Sequence, residues 1–250
     1  MLFLVSLFFF NINFNLNSPP PAKPDSRFYE LRIYHCEPGK LGDLINRFKD
    51  HTTGLFEKHG MANLGYWVPT RADNNSLYYV LSYPDQASRD NSWKAFGNDE
   101  EWKAVRQKSE LNGKIVKSVE SIFLQTEDFS PAIKPHAVVP ERVFELRTYT
   151  CAPGRLPALE ARFRNHTVKL FKKHGMTNIA YWKTVEKENV QPRLVYLLAH
   201  QSEAAAAKSF DAFRVDKKWI KARDKSEKAG KIVDKLESVF MKPLPFSKYK

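Results

Sequence analysis

The stretch HTTGLFEKHGMANLGYW, from His51 to Trp67, returns as HTVKLFKKHGMTNIAYW from His166 to Trp182. The same displacement of 115 residues relates YELRIY at 29–34 to FELRTY at 144–149. The second copy then gains two residues, and GKIV at 113–116 returns at 230–233. Solenoid repeats have periods of about 20–50 residues, so each copy here has the size of a domain.

Each copy predicts the same order of secondary structure. In the first copy, apolar and polar residues alternate over 29–34, and apolar residues recur at helical spacing over 41–58. Gly60 follows as a left-handed stop. We expect further strands at 64–68, 77–83 and 114–124, and helical segments at 86–96 and 99–111. The order β-α-β-β-α-β is the ferredoxin-like arrangement of an α+β domain.

A ferredoxin-like sheet carries helices on one face and leaves the other face bare. Two such faces can cover each other, and a linker between the copies allows this within one chain. The sequence therefore predicts two ferredoxin-like domains packed as an intramolecular dimeric α/β barrel. The expected boundaries are an apolar leader and polar linker at 1–26, domains at 27–128 and 142–246, and a proline-containing linker at 129–141.

Composition and charge indicate a globular protein with an uneven surface. The 250 residues are 42% hydrophobic and 13% aromatic, which excludes a disordered or fibrous chain. The net charge is +12, and counting Lys and Arg against Asp and Glu assigns −1 to residues 27–128 and +13 to residues 142–250. Lys217, Lys221, Lys225 and Lys228 form a predicted helical stripe. The stripe is either a solvated helix face or a surface for anionic partners. Nucleic acid ranks low among these, because no nucleic-acid motif accompanies it.

The leader begins MLFLVSLFFF and continues into a polar, proline-ended stretch. This apolar run is too short to span a bilayer, which takes about 20 residues, but it fits the hydrophobic part of a secretory signal. We expect export to a periplasmic or extracellular location, with mitochondria as the alternative. A mis-assigned start codon would also explain the segment.

The segments YELRIYHCEPGKLGDLINRFKDHTTGLFEKHGM and FELRTYTCAPGRLPALEARFRNHTVKLFKKHGM resemble the NIPSNAP family, as do the later W-x₃-R-x-x-S segments beginning at Trp102 and Trp219. The resemblance covers residues 28–124 and 143–241. It implies a dimeric α/β-barrel fold shared with small monooxygenases and stress-responsive barrel proteins. It implies no agreed activity or catalytic residues. Some mitochondrial relatives act as mitophagy adaptors, and this chain differs from them in its apolar leader.

The strand alternation assigns one polar set in each copy to the face opposite the helices, and hence to the barrel interior. The sets are Glu30, Arg32 and Tyr34, and Glu145, Arg147 and Tyr149. They are candidates for binding or polarising a small molecule in a pocket. The alternative, which we favour, is an ion pair that fixes strand register, since buried charges are tolerated only when they are paired.

His59 and His174 immediately precede the glycine stops of the two long helices. Either histidine could shuttle a proton at a pocket mouth, or it could cap the helix end, which we favour. His51 and His59 lack the i, i+4 spacing of a helical zinc pair, so no metal is expected. No cofactor is expected either, because the sequence gives no distinctive signal for haem.

Two cysteines, Cys36 and Cys151, are too few for a disulfide framework. A bond between them is conceivable across a pseudo-two-fold axis, but buried free thiols are favoured.

Three functional hypotheses follow. The first is a binding or scaffold protein with a small-molecule pocket or a protein-partner surface. The second is a cofactor-independent monooxygenase-like or isomerase-like enzyme that uses the Glu-Arg-Tyr sets, an argument from fold analogy. The third is a basic module for anionic surfaces.

Overall fold

The computed structural model describes residues 25–135, 137 and 140–250. The described part contains eight strands, four from each copy. In the first half they are β1 (Phe28–Cys36), β2 (Ala62–Pro69), β3 (Ser76–Tyr83) and β4 (Val116–Thr126). In the second half they are β5 (Val143–Cys151), β6 (Thr177–Thr184), β7 (Leu194–His200) and β8 (Val233–Pro243). The leader lies outside the described residues, and export stays a prediction.

The eight strands close into one antiparallel barrel in the order β1-β3-β2-β8-β5-β7-β6-β4. Two seams join the halves. Across one, Trp67, Val68 and Pro69 of β2 pair with Pro243, Lys242 and Met241 of β8. Across the other, Leu124, Gln125 and Thr126 of β4 pair with Thr184, Lys183 and Trp182 of β6. The predicted intramolecular barrel of two ferredoxin-like halves is confirmed.

The helices surround the barrel. The first half carries α1 (Leu41–Arg47), α2 (Thr53–Lys58), α3 (Gln86–Asn98) and α4 (Glu100–Ser109), and the second half carries α5 (Leu156–Arg162), α6 (Val168–Lys173), α7 (Glu203–Arg214) and α8 (Lys217–Ser226). A π-helical turn joins α1 to α2 over Phe48–Thr52, and another joins α5 to α6 over Phe163–Thr167. Inside the first turn, the Thr52 hydroxyl donates to the Arg47 carbonyl oxygen at 3.1 Å, and Thr167 repeats this bond to Arg162 at 3.2 Å. The single predicted helix 41–58 is therefore interrupted by one wider turn.

Three apolar clusters form the core. One fills the barrel interior with residues of both halves, including Leu31, Trp67, Leu146 and Trp182. The other two lie between the outer barrel surface and the helices of each half. Adjacent residues of β2 illustrate the division, because Trp67 belongs to the interior cluster and Tyr66 belongs to the outer one.

Each half is also crossed by the chain that leaves the other half. We call residues 127–133 and 244–250 the straps. In the first strap, the Glu127 amide donates to the Tyr181 carbonyl, and the Tyr181 amide donates to the Ser130 hydroxyl, both at 3.0 Å. In the second strap, Leu244 and Ser247 make the same two bonds to Tyr66 at 2.9 and 3.0 Å. The start of the predicted linker is thus a packed segment.

Candidate functional site

The Glu-Arg-Tyr sets lie on the opposite sheet face from the one expected. Tyr29, Leu31 and Ile33 enter the barrel interior, and Glu30, Arg32 and Tyr34 turn toward the helices. The second set, Glu145, Arg147 and Tyr149, shares this placement: Arg147 lies over Phe210 of α7, and Tyr149 packs against Phe163. The expectation that both sets line the barrel interior was wrong. Apolar side chains fill the closed barrel, and the helices supply partners for the charged ones.

Glu30 is fully buried, with 0% of its surface exposed. Its carboxylate accepts Arg32 Nη1 at 2.7 Å and two nitrogens of Arg89, Nη2 at 2.8 Å and Nε at 3.0 Å. Tyr83, Trp93 and Ser121 also donate to it. Burial alone would raise the pKa of Glu30, but the hydrogen bonds from Arg89 and the charge of Arg32 lower it to about 2.

The second half keeps the central ion pair and changes its partners. Glu145 accepts hydrogen bonds from Arg147, from Ser238 at 2.6 Å and from His200 Nε2 at 3.1 Å. The positions of Arg89, Trp93 and Tyr83 are occupied here by Ala206, Phe210 and His200. Burial opposes ionisation of Glu145, but the bond from His200 and the Arg147 charge lower its pKa.

The first network connects the sheet to α3, because Arg89 and Trp93 of that helix donate to Glu30. In the second half the partners of Glu145 lie on strands, and the Arg147 guanidinium over Phe210 makes the contact with α7. In the first half, the Arg32 guanidinium lies 4.1 Å from the Trp93 ring centre and donates to the Tyr34 hydroxyl at 3.3 Å. The buried pair of Glu30 with Arg89 fixes the position of α3 on the first sheet, because separating the two leaves an uncompensated buried charge. The geometry supports the ion-pair interpretation of both sets.

His59 and His174 hold one helix end against another. His59 Nε2 lies 2.6 Å from Oδ2 of Asp99, the residue that caps the N-terminus of α4. His174 lies 2.9 Å from Asp216, which caps α8 in the same way. Hydrogen bonds from Lys58 and His59 lower the pKa of Asp99, and those from Lys173 and His174 lower the pKa of Asp216. Both histidines stand at helix ends, as expected, but their partner is a capping aspartate rather than the last helix carbonyls.

The lysines of the second half surround a groove of about 570 Å³ between α6 and α8. Lys169, Lys172 and Lys173 of α6 face Lys218 of α8 across it. We call these four residues the basic groove. The predicted stripe residues Lys217, Lys221, Lys225 and Lys228 are all exposed. However, α8 ends at Ser226, so Lys228 is not part of the helix, and Lys218 rather than the stripe lines the groove.

Sequence reasoning missed several groups that depend on contacts distant in the chain. His35 bridges the Ser76 hydroxyl at 2.9 Å and the Glu120 carboxylate at 2.7 Å beside a cleft of about 830 Å³. Arg47 is buried and bonds to Ser109 and Glu110 of α4, each at 3.2 Å. At helical spacing Arg47 falls beside the apolar stripe of the predicted helix rather than within it, so the sequence carried no signal of its burial.

No group of three or more potential metal-ligating side chains occurs in the described part of the chain. Cys36 and Cys151 are both free and buried, and burial raises the pKa of each to about 11. Of the helices in the described ranges, none is long and apolar enough to cross a membrane.

Comparison with known proteins identifies two matching units. The family model described as NIPSNAP matches residues 29–131 and again residues 144–248. Protein NipSnap homolog 3A of Pongo abelii is 29% identical over 166 residues, which cover 66% of this chain. The match spans 62% of the length of that curated relative.

Two solved structures are similar in fold over most of the chain. A protein of Fusobacterium nucleatum, provisionally described as a monooxygenase, has a TM-score of 0.56 and 12% identity, and covers 88% of this chain and 93% of its own. A protein of Lactobacillus acidophilus with the same provisional description has a TM-score of 0.55 and 9% identity, with coverages of 88% and 94%. At these identities the likeness extends to the fold alone.

Proposed function

The chain belongs to the NIPSNAP family, and from this premise we propose that it is a binding protein whose barrel presents the basic groove to a polyanionic partner. The observation that carries the proposal is a difference between equivalent positions of the two halves. Lys169, Lys172 and Lys218 of the groove correspond to Gly54, Glu57 and Glu101 of the first half. The fold is common to both halves, so fold maintenance does not require the lysines.

The geometry of the groove suits a multivalent anion. Its four ammonium groups come from two helices, and the exposed Lys217, Lys221 and Lys225 continue the positive surface along α8. Positive charges gathered on one side of a molecule raise the local concentration of an anionic partner and speed its association. Lys173 is partly neutralised by Asp216, which its ammonium group contacts at 2.5 Å, so Lys169, Lys172 and Lys218 carry most of the proposed attraction.

The enzyme alternative loses the residues on which it depended. The Glu-Arg-Tyr sets were expected in an interior pocket, and they lie instead beneath the helices with their carboxylates saturated by donors.

Retention on immobilised heparin tests the proposal. We expect the triple variant Lys169→Gln, Lys172→Gln, Lys218→Gln to elute at markedly lower salt than the wild type. The matched control removes three lysines from the first half, Lys49→Gln, Lys58→Gln, Lys103→Gln, and should elute close to the wild type. Equal shifts in the two variants, or no retention of the wild type at low salt, would overturn the proposal.

We propose further that residues 1–26 direct export, with mitochondrial import as the alternative. Fusion of this segment to a fluorescent reporter tests this. If the fused reporter is found in the same compartment as the reporter alone, the result contradicts both export and mitochondrial import.

A further inference from the structure

The first half contains a small crevice between its fourth helix and the outer surface of its last strand. This crevice has a volume of about 350 Å³, which lies within the range of small-ligand sites, and a bound ligand would cover its open side. The side chains that define it are Tyr34, Arg47, Trp102, Arg106, Glu110 and Lys114. We call it the arginine crevice.

The second half keeps most of the residues that line this crevice, while residues at other surface positions diverged. Seven of its ten lining residues recur unchanged in the second half, including all six named above, as Tyr149, Arg162, Trp219, Arg223, Glu227 and Lys231. The neighbouring cleft on the other side of α4, which Arg47 also lines, keeps only four of its ten. Divergence around an unchanged site indicates that the site itself is constrained.

Packing accounts for only part of this constraint. The buried Arg47 bonds to Ser109 and Glu110, and Arg162 repeats these bonds to Ser226 and Glu227 at 3.3 and 2.9 Å. In contrast, the side chains of Arg106 and Arg223 are 64% and 43% exposed, and each makes only a surface ion pair, with Glu110 at 3.5 Å and with Asp224 at 2.8 Å. Exposed arginines contribute little to folding, so their retention in both halves needs another cause.

The crevice combines an excess of positive charge with aromatic walls. In the first half, Glu110 is the only carboxylate among the lining residues, against Arg47, Arg106, Lys114 and Lys117. In the second half, Asp234 stands in place of Lys117 and Lys235 in place of Ser118, so an excess of positive charge remains. The Arg47 guanidinium lies over the Trp102 ring at 5.4 Å, and Arg162 lies over Trp219 at 5.2 Å. In the described part of the chain, the buried Nε of Arg47 has no hydrogen-bond acceptor, and neither has that of Arg162.

We propose that the arginine crevice, and the equivalent set of residues in the second half, each bind a small aromatic carboxylate. The carboxylate pairs with Arg106 and Arg47 in the first half, and with Arg223 and Arg162 in the second. Guanidinium groups recognise carboxylates through paired, charge-assisted hydrogen bonds. The flat body of the ligand packs between the aromatic ring of Trp102 and the exposed Val119, or between Trp219 and Leu236.

Isothermal titration of the full chain with 2-naphthoate tests this proposal. We expect saturable binding to two sites, and no saturable binding of the neutral 2-naphthamide. The double variant Arg106→Gln, Arg223→Gln should weaken 2-naphthoate binding about tenfold. Neither substituted side chain is buried, so the fold should be kept, which circular dichroism verifies.

Two control variants separate this site from general attraction to a basic protein. Lys108→Gln, Lys225→Gln removes the same charge from the same helices, and the triple groove variant described above removes three charges elsewhere. Both should bind 2-naphthoate as the wild type does. Absence of binding up to about 10 mM, equal binding of 2-naphthamide, or equal weakening in the controls would overturn the proposal.

Discussion

The carboxyl groups of Glu127 and Glu160 meet where the first strap crosses the first helix of the second half. At the equivalent point of the other half, Leu244 contacts the apolar cluster that also includes Ile45. A pair of carboxyl groups therefore occupies a position in the second half whose equivalent in the first half is apolar. Glu127 is only 6% exposed, and its Oε1 has no partner among the described residues.

This pair predicts a pH-dependent stability. Burial and the neighbouring Glu160 raise the pKa of Glu127 to about 7, with Asp128 adding to the effect and Lys183 opposing it. The folded state thus holds a proton that the unfolded chain releases above pH of about 4.5. The contribution of the protonated Glu127 to the free energy of unfolding is complete below that pH and is lost as the pH rises through about 7. We expect the free energy of unfolding, measured with urea, to fall by roughly 2–3 kcal/mol between pH 4.5 and pH 8 from this group.

The variant Glu127→Leu, Glu160→Ile copies the apolar pair of the other half and should remove that pH dependence. It should unfold at higher urea than the wild type at pH 8. If the unfolding free energy of this variant differs between the two pH values as much as that of the wild type, groups other than Glu127 and Glu160 cause the pH dependence.

The buried networks predict unequal costs for the same substitution in the two halves. Glu30→Gln leaves two guanidinium groups, Arg32 and Arg89, without their carboxylate, and we expect a loss of about 3–5 kcal/mol in unfolding free energy. Glu145→Gln leaves only Arg147 unpaired, so it should cost about half as much. Urea titration at pH 7 measures both. Equal losses would contradict the role assigned to Arg89.

The second strap predicts a strong effect of a short truncation. Deleting residues 244–250 removes the buried side chains of Leu244, Ser247 and Tyr249 from the first half and the barrel interior. We expect a loss of about 3–6 kcal/mol, observed as a lower urea midpoint. Deletion of Lys250 alone serves as the control. A truncated chain as stable as this control would show that the strap is dispensable.

The cysteines predict slow thiol chemistry. Cys36 and Cys151 are buried, and burial raises the pKa of each to about 11, so little thiolate exists at pH 8. Ellman's reagent should modify neither thiol quickly in the native protein and should modify both after unfolding. Rapid reaction of one native thiol would contradict the burial of that residue.

Much of the fold followed from the comparison of one chain with itself. The alternation in YELRIY predicts a strand, and the helical spacing over 41–58 predicts a helix. Two sheets that each have one face without helices can cover each other, which predicts the barrel. Alternation places Leu31 and Arg32 on opposite faces of the sheet, but it does not indicate which of the two faces the helices cover. The partners Arg89 and Trp93 lie about 60 residues further along the chain, and this distance concealed the position of Glu30. The pairings of Arg47 with Glu110 and of Glu127 with Glu160 were concealed for the same reason.

The reciprocal straps also constrain the order of events during synthesis. Tyr66 lies in the first half, yet both of its strap bonds are made with Leu244 and Ser247, which follow the last strand of the second half. A nascent first half that has left the ribosome must therefore wait, with one strand edge unpaired, until the second strap has been synthesised. This delay leaves the edge open to other nascent chains, and a chaperone that shields exposed strand edges would have its longest opportunity to act during that interval.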